Sequence, residues 1–272
     1  MINYKNYPNI GQSWGIFGIT VVAMLGASPI YYLKGFIGIG PAQLLTYLAT
    51  MGLPILFAYT MRKNLSGLTK LEVKAPKLGV LGLVIIATLG FIMAVSFPLG
   101  DLIPMPDYIE EMFKSMMGDH GVFTFLTLAV AAPILEEVLF RGIVLDGLLK
   151  KYSPVKAILF SAFLFGIVHL NPWQFVPAFF VGIFMGWIYY RTRNLTYTII
   201  IHFVNNSLAF TLSFLGFDET EELLGTPSSF AITVGIGVVV FVISAYLLKR
   251  IFSASKQPAY DKDLPIKEEI RA

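Results

Sequence analysis

The sequence contains no cysteine in its 272 residues. This absence excludes disulfide bonds, a cysteine nucleophile, a cysteine-ligated zinc site and an iron–sulfur cluster. Charged residues are also scarce, at 14%, whereas soluble domains carry about 25%. Hydrophobic residues make up 56% of the chain, so the composition predicts an integral protein of the cell membrane. The net charge of +3 is too small to indicate a nucleic-acid partner.

Eight apolar segments are long enough, or nearly long enough, to cross a bilayer, which takes about 20 helical residues. They cover residues 14–33, 42–61, 78–99, 122–149, 157–170, 175–190, 195–215 and 230–248. The sequence therefore predicts an all-α, polytopic membrane protein with eight transmembrane helices. We expect residues 1–252 to form one transmembrane domain and residues 253–272 to form a polar cytoplasmic tail. The fourth segment contains Pro133, where a kink is expected.

The distribution of basic residues predicts the orientation of these segments. When both termini are placed in the cytoplasm, all but three of the 20 lysine and arginine residues fall on the cytoplasmic side or in the tail. The exceptions are Lys34 and Lys114 on the other side and Arg141 within the fourth segment. This bias satisfies the positive-inside rule. The loops on the other side are acidic, and one of them, at residues 106–117, is expected to form a short amphipathic helix.

Ionisable residues inside the predicted spans are few. The fourth span carries Glu136, Glu137 and Arg141. Buried charges cost several kcal/mol each unless they are paired, and in membrane spans they usually mark a functional site. The i,i+4 spacing of Glu137 and Arg141 favours an ion pair. Glu136 is rotated by about 100° from Glu137, so we expect it to face a neighbouring helix.

Two of the three histidines of the chain also lie within predicted spans. His169 follows Phe165 by four residues in the fifth span, and His202 precedes Asn206 by four in the seventh. Residues four apart share one helix face, so three helices each present a polar face. We expect these faces to meet in a common cavity inside the bundle.

The three motifs together resemble those of the CPBP, or ABI, intramembrane proteases, a family that includes the endopeptidases that trim prenylated CAAX proteins. Here they are Glu136-Glu137-Val-Leu-Phe-Arg141, Phe165-Gly-Ile-Val-His169 and His202-Phe-Val-Asn-Asn206, and the resemblance covers about residues 120–215. It implies an endopeptidase that hydrolyses a peptide bond in a membrane-associated or lipidated protein or peptide.

The resemblance also implies a role for each matching residue. Glu136 is the expected general base that activates a water molecule, and His169 helps to hold and polarise that water. His202 and Asn206 are the expected donors to the tetrahedral oxyanion. Glu137 and Arg141 are expected to form a supporting pair. Removing one oxyanion donor typically costs about 10²–10³ in rate, so Asn206 is expected to matter nearly as much as the base.

Several neighbouring polar residues have simpler expected roles. Phe165 is expected to pack against the site, and Asn205 to form a hydrogen bond between helices. Asp146 is expected to pair with Lys150, four residues later, at the cytoplasmic interface. We expect no chemistry at that pair.

Other functions remain open at this point. Two histidines and two glutamates are enough ligands for zinc, although the sequence has no His-Glu-x-x-His motif, and we favour a mechanism without a cofactor. A non-catalytic membrane scaffold or immunity protein of the same family is a second alternative. A proton-coupled transporter also uses buried glutamate and histidine. Membrane lipid and a membrane-associated substrate are the expected partners, and the sequence gives no oligomeric state.

Overall fold

The structure is a computed structural model that describes residues 6–117, 121–216 and 224–254. Over these residues the chain forms helices and no strand. The helices are α1 (Ile10–Ile37), α2 (Ile39–Ser66), α3 (Leu78–Leu99), α4 (Asp107–Met117), α5 (Val122–Leu148), α6 (Pro154–Ile167), α7 (Pro172–Thr192), α8 (Leu195–Phe214) and α9 (Pro227–Ala254). Nearly all of the predicted polar tail, and all four acidic residues of the predicted loop after α8, lie outside the described residues.

Seven of these helices are long and apolar enough to cross a membrane: α1, α2, α3, α5, α7, α8 and α9. Helix α6 is apolar but has only 14 residues. Each of the eight predicted segments coincides with one of these eight helices, which confirms the predicted all-α, multi-pass membrane protein. The number of crossings and the cytoplasmic placement of the termini stay predictions. Helix α4 confirms the helix predicted at residues 106–117.

Contacts between helix ends show that successive helices run in alternating directions. The backbone N–H of Tyr7 donates to Ser66 Oγ at 2.9 Å, and that of Leu195 donates to the Glu72 carbonyl at 2.8 Å. These contacts gather the start of α1, the end of α2 and the start of α8 at one end of the bundle. We call it the basic end because Arg62, Lys150 and Arg193 lie there. At the opposite end, the indole N–H of Trp173 donates to the carbonyl of Pro104 at 3.1 Å.

Asp146 is the centre of an ion-pair cluster at the basic end. The predicted pair with Lys150 is confirmed at 2.8 Å. Asp146 also contacts Arg62 at 3.0 Å and Arg193 at 2.7 Å. Its side chain is 1% exposed, so a single buried carboxylate joins α2, α5 and the turn between α7 and α8.

Helix α5 departs from α-helical geometry on both sides of Glu136. Residues Leu126–Ala131 and Val138–Leu145 are π-helical, and the α-helical turn Ala132–Glu137 lies between them. Pro133 has no N–H to donate and cannot continue a regular ladder of hydrogen bonds. A π-helical stretch ends two residues before this proline, and the predicted kink stays a prediction. Such stretches occur often at functional sites.

Glycines allow α6 and α7 to approach closely. A Cβ atom at Gly186 would lie 2.9 Å from Ile158 Cγ2, and one at Gly182 would lie 3.1 Å from Ala162 Cβ. Since real Cβ atoms essentially never come within 3.0 Å, no larger residue fits at Gly186 unless Ile158 shifts. These contacts hold α6, the helix that precedes His169, against α7.

Candidate active site

A cavity of about 850 Å³ reaches from the end opposite the basic end into the middle of the bundle. Side chains from α1, α2, α5, α6, α7 and α8 line it. Four of the predicted site residues are among them: Glu136, His169, His202 and Asn206. Cavities that bind small molecules commonly measure 300–1,000 Å³. The three motifs thus meet in one cavity, as the sequence predicts.

Glu137 and Arg141 lie outside the cavity lining and form the predicted ion pair. Glu137 Oε1 is 2.7 Å from Arg141 Nη1, and both residues are fully buried. The Arg141 guanidinium also stacks on the Phe165 ring, 4.2 Å from its centroid, and donates to the Gly182 carbonyl at 3.4 Å. Phe165 therefore packs at the site, as expected, and additionally contributes a cation–π contact.

Glu137 has a second partner that the sequence does not predict. Its Oε1 also lies 3.2 Å from His202 Nδ1. An ionised carboxylate can only accept hydrogen bonds, so Nδ1 of His202 carries the hydrogen of this contact. The imidazole is thereby oriented with Nε2 facing Glu136, 3.9 Å from Oε2. Glu137 consequently orients His202 as well as pairing with Arg141.

Glu136 points away from its neighbour, into the cavity. Its side chain is 12% exposed. The phenol of Tyr47, on α2, donates to Oε1 at 2.5 Å. Within the described part of the chain, Oε2 has no hydrogen-bond partner. One carboxylate oxygen is thus held by a phenol, and the other faces His202.

His169 lies in the turn after α6 and not inside a helix. The fifth predicted span extends to residue 170, but α6 ends at Ile167. Leu170 adopts a left-handed conformation with φ of 57°, which reverses the chain, and Asn171 donates to the His169 carbonyl at 2.8 Å. Asn171 then caps α7 by accepting from the Gln174 N–H. The Asn171-Pro172 pair is a strong helix-start signal, which explains why α6 stops early.

The imidazole of His169 is oriented by backbone carbonyls. Nδ1 lies 3.0 Å from the carbonyl oxygen of Phe165 and 3.1 Å from that of Gly166. Carbonyl oxygens only accept, so Nδ1 carries the hydrogen. The Nε2 atom of a neutral imidazole is then an acceptor. The rings of His169 and His202 both contact Phe165 edge-on, each 5.6 Å from it between centroids.

Asn206 makes two hydrogen bonds with its side chain. Its amide nitrogen donates to the Leu128 carbonyl on α5 at 2.8 Å, and its oxygen accepts from Asn205 Nδ2 at 3.1 Å. An amide nitrogen has two hydrogens, and the Leu128 contact uses one. Asn205, expected to bond to another helix, instead lines the cavity and bonds to its neighbour. The bond between α8 and α5 belongs to Asn206.

Tyr47 is the residue of this site that the motifs do not include. It lies in the second span, in a half of the chain without a recognisable motif. The available signal was a polar stripe in an apolar segment: Gln43, Thr46, Tyr47 and Thr50 all line the cavity. Their spacing of three and four residues places them on one helix face. Among the described residues, no group of three or more histidine, aspartate or glutamate side chains could hold one metal ion.

The match to known proteins covers the region of the chain that carries the three motifs. Residues 118–208 match the family model described as "Type II CAAX prenyl endopeptidase Rce1-like". Over this region, about a third of its length, the chain is similar to the CAAX-type membrane proteases. The matched residues contain all three motifs, from Glu136 to Asn206, whereas Tyr47 lies outside them.

A curated relative carries a similar description. The Bacillus subtilis (strain 168) protein named "Putative membrane peptidase YdiL" is 32% identical over 79 residues. The match covers 29% of this chain and 32% of that protein, so the similarity spans about a third of the relative's length. No solved structure matches the chain.

Proposed function

We propose that this protein is an intramembrane endopeptidase that hydrolyses a peptide bond in a membrane-associated or lipidated protein or peptide. The observation that carries the proposal is the position of Glu136. Its side chain lines the cavity with Oε2 3.9 Å from His202 Nε2, while its neighbour Glu137 is paired outside the lining. A carboxylate held in this way beside two histidines is the arrangement expected of a general base.

In the proposed reaction, Glu136 removes a proton from a water molecule whose second O–H donates to His169 Nε2. The water oxygen attacks the peptide carbonyl carbon, and the carbonyl oxygen becomes an oxyanion. Glu136 then returns the proton to the amide nitrogen as the C–N bond breaks. The products are a carboxylic acid and an amine, and no covalent enzyme intermediate is needed.

Two hydrogen-bond donors are proposed for the oxyanion. One is the hydrogen of Asn206 Nδ2 that is not directed to Leu128. The other is an N–H at His202 Nε2, which requires His202 to carry hydrogens on both ring nitrogens. Arg141 balances the charge of only one of the two adjacent carboxylates, so a positively charged His202 would balance the second. Preorganised donors of this kind are usually the largest single contribution to catalysis of acyl transfer.

The proposal is tested by comparing peptide fragments from cells that express the wild-type protein or Glu136→Gln. We expect fragments that depend on the wild-type chain to disappear in Glu136→Gln, while the amount of folded protein is unchanged. Glu72→Gln is the matched control because Glu72 lies at the basic end, away from the cavity, where its side chain pairs with Lys74. Full fragment production by Glu136→Gln would contradict the proposed base.

The fragment comparison tests the scaffold alternative, and a chelation experiment tests the zinc alternative. A non-catalytic scaffold or immunity protein would give identical fragments with wild-type protein, Glu136→Gln and no protein. A zinc enzyme would lose activity when the purified protein is treated with a chelator and recover it only when metal is added back. The glutamate mechanism predicts activity that is insensitive to chelation.

A further inference from the structure

The cavity occupies only the half of the bundle farther from the basic end. Its deepest lining residues on three helices are Met51 on α2, Glu136 on α5 and Val181 on α7. Beyond them these helices continue to Ser66, Leu148 and Thr192. At 1.5 Å per residue, about 17–22 Å of helix separates these three residues from the basic end. On α8, which begins at the basic end, the lining residue His202 lies seven residues, about 10 Å, after Leu195.

Tightly packed side chains fill the bundle between the cavity and the basic end. Glu137, Arg141 and Leu139 are fully buried just below Glu136. Closer to the basic end, Asp146 joins its three cationic partners across α2, α5 and the turn after α7. A substrate therefore has no approach to Glu136 from the basic end without unfolding this region.

At the other end the cavity opens among exposed residues. Ser28, in the last third of α1, and Ser115 on α4 line the cavity and are both exposed. At its floor, Met51 is 4% exposed and His202 is 6% exposed. The lining is thus exposed at the rim and buried at the floor, so the cavity has a mouth at this end of the bundle.

The side chains that line the cavity are mostly uncharged. Among the described residues, it contains no lysine or arginine. Hydroxyl, amide and aromatic side chains make up most of the outer half: Ser28, Tyr31, Gln43, Thr46, Ser96, Phe113, Ser115, Asn171, Trp173 and Gln174. A carboxylate held there would lack a cation to pair with, which is costly in a partly dry site.

Helix α4 adds negative charge beside the mouth, where its Phe113 and Ser115 line the cavity. Its described side chains include three acidic ones, Asp107, Glu110 and Glu111, against one lysine, Lys114. Charge of one sign around a cleft raises the local concentration of ligands of the opposite sign. The mouth thus favours neutral or cationic peptides over anionic ones.

We infer that the active site opens to the non-cytoplasmic side of the membrane and accepts an extended, neutral or basic peptide segment presented at that surface. This inference rests on the proposed function and on the orientation predicted by the positive-inside rule, under which the basic end lies in the cytoplasm. The direct consequence is that a cytoplasmic peptide with a free C-terminal carboxylate is a poor substrate for this chain.

Since the chain has no cysteine, single cysteines can be introduced as reporters without removing any native one. Ser28→Cys tests the rim, Thr46→Cys tests the cavity, and Asn64→Cys, at an exposed position near the basic end, is the matched control. Each variant is treated with a membrane-impermeant maleimide in spheroplasts and in inverted vesicles. Reaction in denaturing detergent measures the total thiol.

We expect Ser28→Cys and Thr46→Cys to be labelled in spheroplasts, and Asn64→Cys to be labelled only in inverted vesicles. Absence of labelling at both Ser28→Cys and Thr46→Cys in spheroplasts, or labelling of Asn64→Cys there, would overturn the inference. The readout does not require turnover, so its failure is distinct from a failure of the proposed peptidase activity.

The charge preference is tested on Thr46→Cys with two impermeant methanethiosulfonates, one bearing a trimethylammonium group and the other a sulfonate. After correction for their rates with a free cysteine peptide, we expect the cationic reagent to react at least about tenfold faster. Equal corrected rates, or faster reaction of the anionic reagent, would exclude the preference for neutral or basic peptides.

Discussion

The phenol of Tyr47 donates a hydrogen bond to Glu136 Oε1 at 2.5 Å. The two residues are 89 positions apart and belong to different parts of the chain, since Glu136 lies in the matched family region and Tyr47 does not. The contact leaves Oε2 as the oxygen that faces His202. The orientation of the predicted base therefore depends on α2.

Replacement of Tyr47 by phenylalanine is expected to slow peptide cleavage by about 10–100-fold, because a hydrogen bond to a charged group contributes about 1.5–3 kcal/mol and 1.36 kcal/mol corresponds to a factor of ten in rate. The measurement is the cleavage rate of a purified variant. Tyr59→Phe is the control, since the Tyr59 phenol bonds to the Thr69 carbonyl outside the cavity. A wild-type rate in Tyr47→Phe would mean that the phenol does not position Glu136.

The two adjacent glutamates are expected to differ in their effect on stability. Glu137→Gln weakens contacts with Arg141 and His202 and leaves Arg141 as an uncompensated buried charge, which typically costs about 3–5 kcal/mol. Glu136→Gln keeps a group that can accept from Tyr47, so its unfolding free energy should change little. Thermal unfolding of the two variants in the same detergent measures both changes in stability. Equal losses of stability would contradict the division between a structural and a cavity-facing glutamate.

The adjacent asparagines provide a matched pair for the oxyanion site. Asn206→Ala is expected to lower the cleavage rate by about 10²–10³, the usual cost of removing one oxyanion donor. Asn205→Ala removes only a hydrogen bond to Asn206 and should lower the rate by less than about tenfold. The cleavage rates of the two purified variants show which asparagine is the oxyanion donor. A larger loss of rate in Asn205→Ala than in Asn206→Ala would contradict the assignment of Asn206.

Asp146 is expected to affect folding rather than chemistry. Asp146→Asn removes a buried carboxylate that pairs with both Arg62 and Arg193, which should lower the free energy of unfolding by about 3–5 kcal/mol. The fraction that remains folded should cleave at the wild-type rate. Glu110→Gln, which breaks the exposed pair with Lys114, should have an effect within about 1 kcal/mol. A slow but stable Asp146→Asn protein would indicate a role in the reaction.

Local spacing explains which site contacts could be predicted. The pairs Glu137–Arg141 and Asp146–Lys150 are four residues apart, and helix geometry brings such residues together whatever surrounds them. The convergence of the three motifs was also predictable, because isolated polar faces in a membrane must find one another. His169 was placed correctly in the cavity but wrongly inside a helix, since the capping of α7 by Asn171 ends α6 earlier.

Contacts between helices could not be predicted from spacing. The bond from Tyr47 to Glu136, the bond from His202 to Glu137 and the cation cluster at Asp146 each join residues far apart in sequence. Each depends on how two helices are rotated and shifted relative to each other. A sequence pattern fixes the face of one helix but not these relations between helices.

The sequence by itself determined that this is a multi-pass helical membrane protein, which spans carry its polar residues, and which acidic and basic residues pair within a helix. These features follow from hydropathy and from a constant 3.6-residue period, both of which are local. The tertiary structure decided that Tyr47 holds Glu136, that Glu137 orients His202, and that the cavity opens away from the basic end. Those relations depend on packing between helices, where the shapes of distant side chains set the rotation and depth of each helix in the bundle.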